Sequence, residues 1–366
     1  MRNAREQPGD TGYPSPPPAP MSDFNLALLG FGYVGRTFHA PLIAHTPGLH
    51  LHTVVSRQAE AMHAAWPQAH VVADAAQAFA DPRIDAVVIA TPNQTHAPLA
   101  LAALTQGKHV LVDKPFTLDV AEAQQVLDQA QRVGRIVSVF QNRRWDGDFL
   151  GVRALLEAGT LGEIAEFHSH FDRHRPQVVD RWREQALPGS GLWFDLGPHL
   201  LDQALQLFGP PQSLQADLAL QRPGAQTVDY VHAVLGYPRL RVVLHAGSLV
   251  AANGLRFALH GTAGSYLKHG LDTQEAQLRA GVAPGAPGWG EDPLPGQLRL
   301  VGADGTHAVQ TLPAHRGDYR DCYAAFREAL AGRAPAPVDA AQALAVMRLL
   351  EAGVHSAASG CSVTLD

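Results

Sequence analysis

Apolar positions along this chain follow two rhythms, and the change from one to the other divides it. In the first third, short and largely apolar runs occupy residues 26–29, 49–55, 84–90, 109–113 and 136–140. Runs of that length between turn residues read as strands buried on both faces. Between them, apolar residues recur at helical spacing, most clearly Ala123, Val126, Leu127, Ala130 and Val133. Local punctuation places the helix ends. Pro41 should kink the first helix or start a new turn, and Pro47-Gly48 should end it. Pro98 falls in the first turn of a helix whose last residue is Gln106, with Gly107 as its left-handed cap. Asp119 and Glu122 form a capping box, and Gly134 closes the helix they start. Five strands with helical crossovers predict a doubly wound parallel sheet of the Rossmann type, with its ligand crevice at the strand carboxyl ends.

After about Trp145 the period changes. A helix with Phe149, Val152, Leu155 and Leu156 on one face runs to Gly162. Alternation then begins, with Ala165, Phe167 and Phe171 opposite Glu166, His168, His170 and Asp172. Runs at 227–236, 240–248 and 255–260 continue it, joined by short turns. They predict a large, mostly antiparallel sheet with one covered face. Helices near 319–331 and 339–357 should close this α+β part, and the Pro/Gly-rich stretch 281–296 reads as a loop. The resulting division is a Pro-rich leader (1–22), a dinucleotide-binding Rossmann domain (23–143) and a second α+β domain (144–366).

Composition narrows the class. A length of 366 residues suits two domains with separate cores, and 46% hydrophobic with 17% charged residues is ordinary for a globular protein. The net charge of −6 and the lack of a basic cluster argue against nucleic acid or an anionic membrane as partner. Cys322 and Cys361 are too far apart in sequence to suggest a disulfide framework, which fits a reducing cytoplasm. The first twenty residues contain six prolines and no apolar core, so they read as a disordered tail, with Met21 as the alternative start.

The first strand ends in Gly30, Gly32 and Gly35, spaced G-x-G-x-x-G. In that setting Gly30 permits the turn, Gly32 lets backbone approach a pyrophosphate, and Gly35 allows helix and strand to pack closely. At the end of the second strand, where an acidic residue would hold an NAD ribose, stand Ser56 and Arg57. A hydroxyl and a guanidinium suit the 2′-phosphate of NADP, so NADP is preferred and NAD is the alternative. Thr91, Asn93, Lys114 and Asn142 also fall at strand carboxyl ends. Lys114 could stabilise an alkoxide beside a nicotinamide, His199 could take the hydroxyl proton, and Asp195 could orient His199 or bind substrate. Asp195, His199 and Asp202 would share one helix face but match no zinc spacing, so no metal is expected.

These elements resemble the Gfo/Idh/MocA family of NAD(P)-dependent sugar and inositol dehydrogenases, from about Phe24 to the C-terminus. The likeness rests on Gly30-Phe-Gly-Tyr-Val-Gly35, on Thr91-Pro-Asn93 with His96, on the lysine-proline element at Lys114, and on Asp195-x-x-x-His199. Phe38-His-Ala-Pro-Leu-Ile43, Gln141-Asn-Arg-Arg-Trp-Asp146 and Ser169-His-Phe-Asp-Arg173 bring it closest to bacterial enzymes similar to scyllo-inositol 2-dehydrogenase. The resemblance implies that Lys114 is the catalytic lysine, His199 the general acid/base, and Asp195 an assisting residue. It implies cofactor contacts from Gly30, Phe31, Gly32, Tyr33, Val34, Gly35, Ser56, Arg57, Thr91, Pro92, Asn93, His96, Asp113, Lys114 and Asn142. A small polyol or sugar substrate and a homodimer or homotetramer follow from it too. Asp113 departs from the family's usual Glu before the lysine. Two alternatives remain open: an NAD-dependent glycosidase of the same family, and a nucleotide-binding sensor without catalysis.

Overall fold

The computed structural model describes residues 22–365 apart from 253 and 303; the Pro-rich leader lies outside the described residues. Six parallel strands form the first sheet: β1 (Phe24–Leu29), β2 (Leu49–Val55), β3 (His70–Val72), β4 (Ala86–Ile89), β5 (His109–Val112) and β6 (Val137–Val139). Their order is β3-β2-β1-β4-β5-β6. The crossovers are α1 (Ala40–Ala44), α2 (Ala59–Ala65), α3 (Ala75–Ala80), α4 (His96–Thr105) and α5 (Val120–Val133). The five expected strands are present. The sixth, β3, is three residues long and only partly buried, too short for a periodic signal. The direction of strand order reverses between β1 and β4, where Leu29 pairs with Ile89. A crevice opens at such a point because the two crossovers leave on opposite sides.

The punctuation acts as its chemistry requires, with shifts of a residue. Gly35–His39 form a wide π-type turn that runs into α1, and Pro41 sits in the first turn of α1, where its missing N–H has no partner to lose. The helix expected through Gln106 ends at Thr105, after a 3₁₀ turn at Asn93–Thr95. The Asp119 carboxylate accepts the Glu122 N–H at 2.7 Å, while Glu122 reaches the N–H of Leu118 rather than that of Asp119. Gly134 takes the left-handed φ of +62°.

The second sheet has nine strands: β7 (Ile164–His170), β8 (Ser213–Ala219), β9 (Tyr230–Gly236), β10 (Arg241–Gly247), β11 (Leu255–Gly261), β12 (Gly264–His269), β13 (Gly296–Val301), β14 (His307–Leu312) and β15 (Val363–Thr364). In the order β14-β13-β12-β11-β7-β10-β9-β8-β15, only the β7–β10 pair is parallel. Phe167, Val231, Leu235, Val242, Leu244 and Leu259 form its fully buried inner face. The helices that complete the fold are α6 (Gly147–Glu157), α7 (Gly191–Phe208), α8 (Gln274–Arg279), α9 (Arg320–Leu330) and α10 (Ala340–Ser359). α7 and α10 pack on this sheet, and α10 also packs on α5 and β6. Sequence reading missed five of these strands. β14 is exposed along nearly its whole length and β15 has two residues, so neither carries a hydrophobic alternation. No helix of the described residues is long and apolar enough to cross a membrane.

Candidate active site

The glycine turn lies at the carboxyl end of β1. Gly30 has φ +97°, and a Cβ there would stand 2.5 Å from the Ala90 carbonyl oxygen. A Cβ on Gly35 would stand 2.1 Å from the Gly30 oxygen. The chain's own packing therefore requires both. Gly32 differs, because a Cβ on it would meet no atom within 4 Å. An open, side-chain-free backbone at a switch point is the cradle a pyrophosphate needs, so the residues present fit a dinucleotide. Gly35→Ala is accordingly expected to lower stability by about 1–3 kcal/mol. Gly32→Ala should melt like wild type and lose about tenfold or more in nucleotide affinity, because its methyl occupies the phosphate position. Melting curves and nucleotide titrations of the two variants check this contrast.

Other predicted cofactor residues occupy the crevice walls. Ser56 follows β2 and its hydroxyl accepts the Gln58 N–H at 3.0 Å. Arg57 is exposed, and its guanidinium has no partner among the described residues. The Thr91 hydroxyl pairs with that of Thr95 at 2.5 Å. Pro92 starts the turn, and Asn93 is buried with its amide donated to the Gly189 carbonyl at 2.8 Å. His96 is buried, with ring nitrogens 3.0 Å from the Thr91 carbonyl and 2.8 Å from that of Pro115. These two side chains brace loops. Phe31 is buried in the core, whereas Tyr33 and Val34 line the cavity described next.

A cavity of about 780 Å³ brings together the glycine turn, the ends of β5 and β6, α7 and the segment 173–184. Asp113, Lys114, Asn142, Asp195 and His199 all line it. Lys114 follows β5, and its bond to Pro115 is cis. Its ammonium donates to the Asp195 carbonyl at 2.6 Å and to the Asp195 carboxylate at 2.9 Å. An ammonium has three donors, so one remains for a ligand. The backbone N–H of Lys114 donates to Asp113 at 2.9 Å, so the aspartate that departs from the family pattern fixes the lysine's own peptide.

His199 lies one helical turn beyond Asp195 on α7 and is almost completely buried. Its Nδ1 is 3.1 Å from Gln141 Oε1, and Gln141 Nε2 donates to the Pro198 carbonyl at 3.4 Å. With the Gln141 amide so oriented, Nδ1 carries the proton and Nε2 keeps a lone pair. Burial, then the Lys114 and Arg143 charges, hold the imidazole well below its ordinary pKa. It is therefore a neutral base throughout the neutral range. Asp195 shifts the opposite way from what burial alone would cause. Burial raises it, but Lys114, Arg183 and Arg173 outweigh that and hold the carboxyl well below its usual range. Asp202 does not join them. It pairs with Arg144 at 2.8 and 2.6 Å inside the protein, a structural tie.

Sequence reasoning gave no site role to several residues that line the cavity or touch His199. Gln141 is the immediate neighbour of Asn142 at the end of β6, and that position was its available signal. Arg173, Arg175, Arg181 and Arg183 form a charge run in one segment, but nothing in the run itself points inward. Arg183 stacks on Trp182 at 5.0 Å, with a nitrogen 3.9 Å from the Asp195 carboxylate. Glu275 comes from α8, distant in sequence, and binds Arg143 at 2.6 Å.

Residues 24–141 match the family model described as the NAD-binding Rossmann fold of the oxidoreductase family, and 153–365 match its C-terminal alpha/beta domain. The chain belongs to the Gfo/Idh/MocA oxidoreductase family. Within that family it is 52% identical to the oxidoreductase YdgJ of Escherichia coli, over 92% of this chain and 97% of that protein. The scyllo-inositol 2-dehydrogenase (NADP(+)) IolW of Bacillus subtilis is 35% identical, over 93% and 96%. A solved structure from Yersinia pestis superposes with a TM-score of 0.91 at 49% identity, covering 94% of this chain and 98% of that one. Membership makes this Gfo/Idh/MocA chain an oxidoreductase with an NAD(P)-binding domain.

Proposed function

We propose that the protein transfers a hydride reversibly between a secondary alcohol of a cyclic polyol or sugar of the inositol kind and NADP, with NAD as the poorer cofactor. The observation that carries this reading is the pair formed by Lys114 and His199: a tethered ammonium with a free donor and a neutral imidazole, on one cavity beside the glycine turn. The bound nicotinamide supplies the hydride acceptor or donor. Lys114 binds the substrate oxygen and stabilises negative charge as it develops there. His199 Nε2 takes the hydroxyl proton in oxidation and returns it in reduction. Asp195 fixes the ammonium, and Gln141 fixes the imidazole tautomer. The names of IolW and of the more distant inositol 2-dehydrogenases support the substrate class, and IolW's name supports NADP. The same reading places the enzyme in the cytoplasm as a homodimer or homotetramer, joined through the open face of the nine-stranded sheet.

The test is a reduction screen with NADP and NAD over inositols and monosaccharides; turnover of cyclic polyols is expected, and none on any member would end the proposal. Cofactor choice has its own variant. If Arg57 meets the 2′-phosphate, Arg57→Ala loses a charge-assisted contact of about 1.5–3 kcal/mol. NADP affinity should then fall about ten- to hundredfold while NAD affinity stays nearly constant. Equal losses for both nucleotides would remove Arg57 from phosphate recognition.

A further inference from the structure

β7 and β10 lie side by side in parallel, and their register pairs His170 with His245. Asp172 lies two residues beyond His170 on the extended chain, so it returns to the same face. Phe171, between them, is buried and takes the guanidinium of Arg256 at 4.0 Å. Three side chains thus meet at the carboxyl ends of two strands. His170 Nδ1 is 3.2 Å from one Asp172 carboxylate oxygen, and His245 Nε2 is 3.4 Å from the other. One ligand atom from each residue lies within 4.8 Å of the other two, the one such cluster among the described residues.

These separations are informative. Charge-assisted hydrogen bonds between such groups run at about 2.7–2.9 Å. The edge of a tetrahedron whose ligands stand about 2.0 Å from the centre is about 3.3 Å. The two histidine-to-carboxylate separations therefore lie nearer to the edge of a coordination shell than to the length of a tight ion pair. The carboxylate is also fixed in place, since the Gly247 N–H donates to it at 3.1 Å. All three residues are partly accessible, with side-chain exposures of 18%, 7% and 15% for His170, Asp172 and His245.

We propose that His170, Asp172 and His245 bind a divalent late transition metal of the zinc type, with a fourth position left open. Two imidazoles and one carboxylate favour zinc, cobalt or nickel over magnesium or calcium, which prefer all-oxygen shells. None of the three side chains lines the active-site cavity. The metal has no part in hydride transfer. It joins β7 to β10 one residue before Arg173, where the arginine-rich wall segment of the cavity begins, and so anchors the start of that wall. The motif is invisible in sequence because His245 is supplied by strand pairing.

The experiment uses the full chain in its native assembly, stripped with chelator and titrated calorimetrically with Zn²⁺ and with Mg²⁺. One Zn²⁺ per chain is expected, with a Kd on the order of micromolar or tighter, and no Mg²⁺ binding at that concentration. Asp172→Asn and His245→Ala should each weaken Zn²⁺ binding by more than the roughly ten- to hundredfold cost of an outer-shell change. His232 on β9 stands directly opposite His245, with ring centroids 5.9 Å apart, and His232→Ala is the control that should bind normally. Co²⁺ on the wild-type protein gives an answer independent of variant folding, through the intense visible bands of four- or five-coordinate cobalt. Weak octahedral bands, binding only at millimolar Zn²⁺, or unchanged affinity in both ligand variants would overturn the site.

Discussion

Lys114→Met is expected to lower kcat by about 10²–10³-fold while nucleotide affinity stays within about threefold. Methionine keeps much of the side chain's length and loses the charge. In a buried site, a fixed donor aimed at developing negative charge acts with little screening, so its removal is costly. Ground-state binding changes less, because charge on the substrate oxygen grows mainly as the reaction proceeds. The variant should still fold, since Asp195 retains the Arg183 guanidinium 3.9 Å away. Steady-state kcat with a polyol from the screen, beside a nucleotide titration, checks it. A kcat within threefold of wild type would remove Lys114 from the chemistry.

His199→Ala is expected to lower kcat by about 10²–10⁴-fold, the usual contribution of a positioned base. The pH profile tells this role from a structural one. Folding lowers the His199 pKa, so the unfolded chain takes up its proton first as pH falls through about 6.5. The folded imidazole stays neutral there, and its contribution to stability is complete above that pH and declines below it. Activity should therefore persist below pH 6.5 in the wild type, limited by a pKa well under the ordinary histidine value. After burial, Lys114 is the largest cause of that depression. Lys114→Met should hence move the acid limb of the residual activity to higher pH. A limb that stays in place would show that the two groups are not coupled.

The parts legible in the sequence share one property: their physical cause is local. Gly30, Gly32 and Gly35 each lack a side chain for a reason set within one turn, and the Asp119 cap acts over three residues. The apolar runs of β1, β4, β5 and β6 announced a buried parallel sheet because both faces are covered, whereas β2 leaves His50 exposed. Lys114 and His199 were legible as residues, but their meeting is tertiary: it depends on α7 crossing the end of β5. The roles of Gln141 and Glu275 were not legible, since they exist only through a histidine and an arginine brought from other elements. Asn93 and His96 show the converse. A strand-end position for Asn93 and the family resemblance for His96 pointed to cofactor, and the structure pairs both side chains with backbone carbonyls.

The central claim is that a carbinol hydrogen passes to the nicotinamide nucleotide inside a site built by Lys114 and His199. It is tested most directly with an inositol deuterated at its carbinol carbons, incubated with NADP and enzyme, and mass analysis of the reduced nucleotide. The account predicts one deuterium per reduced nucleotide with the wild-type protein, formed at least about a hundredfold more slowly by Lys114→Met. Reduced nucleotide without deuterium, or deuterium transfer at the wild-type rate by Lys114→Met, would contradict it.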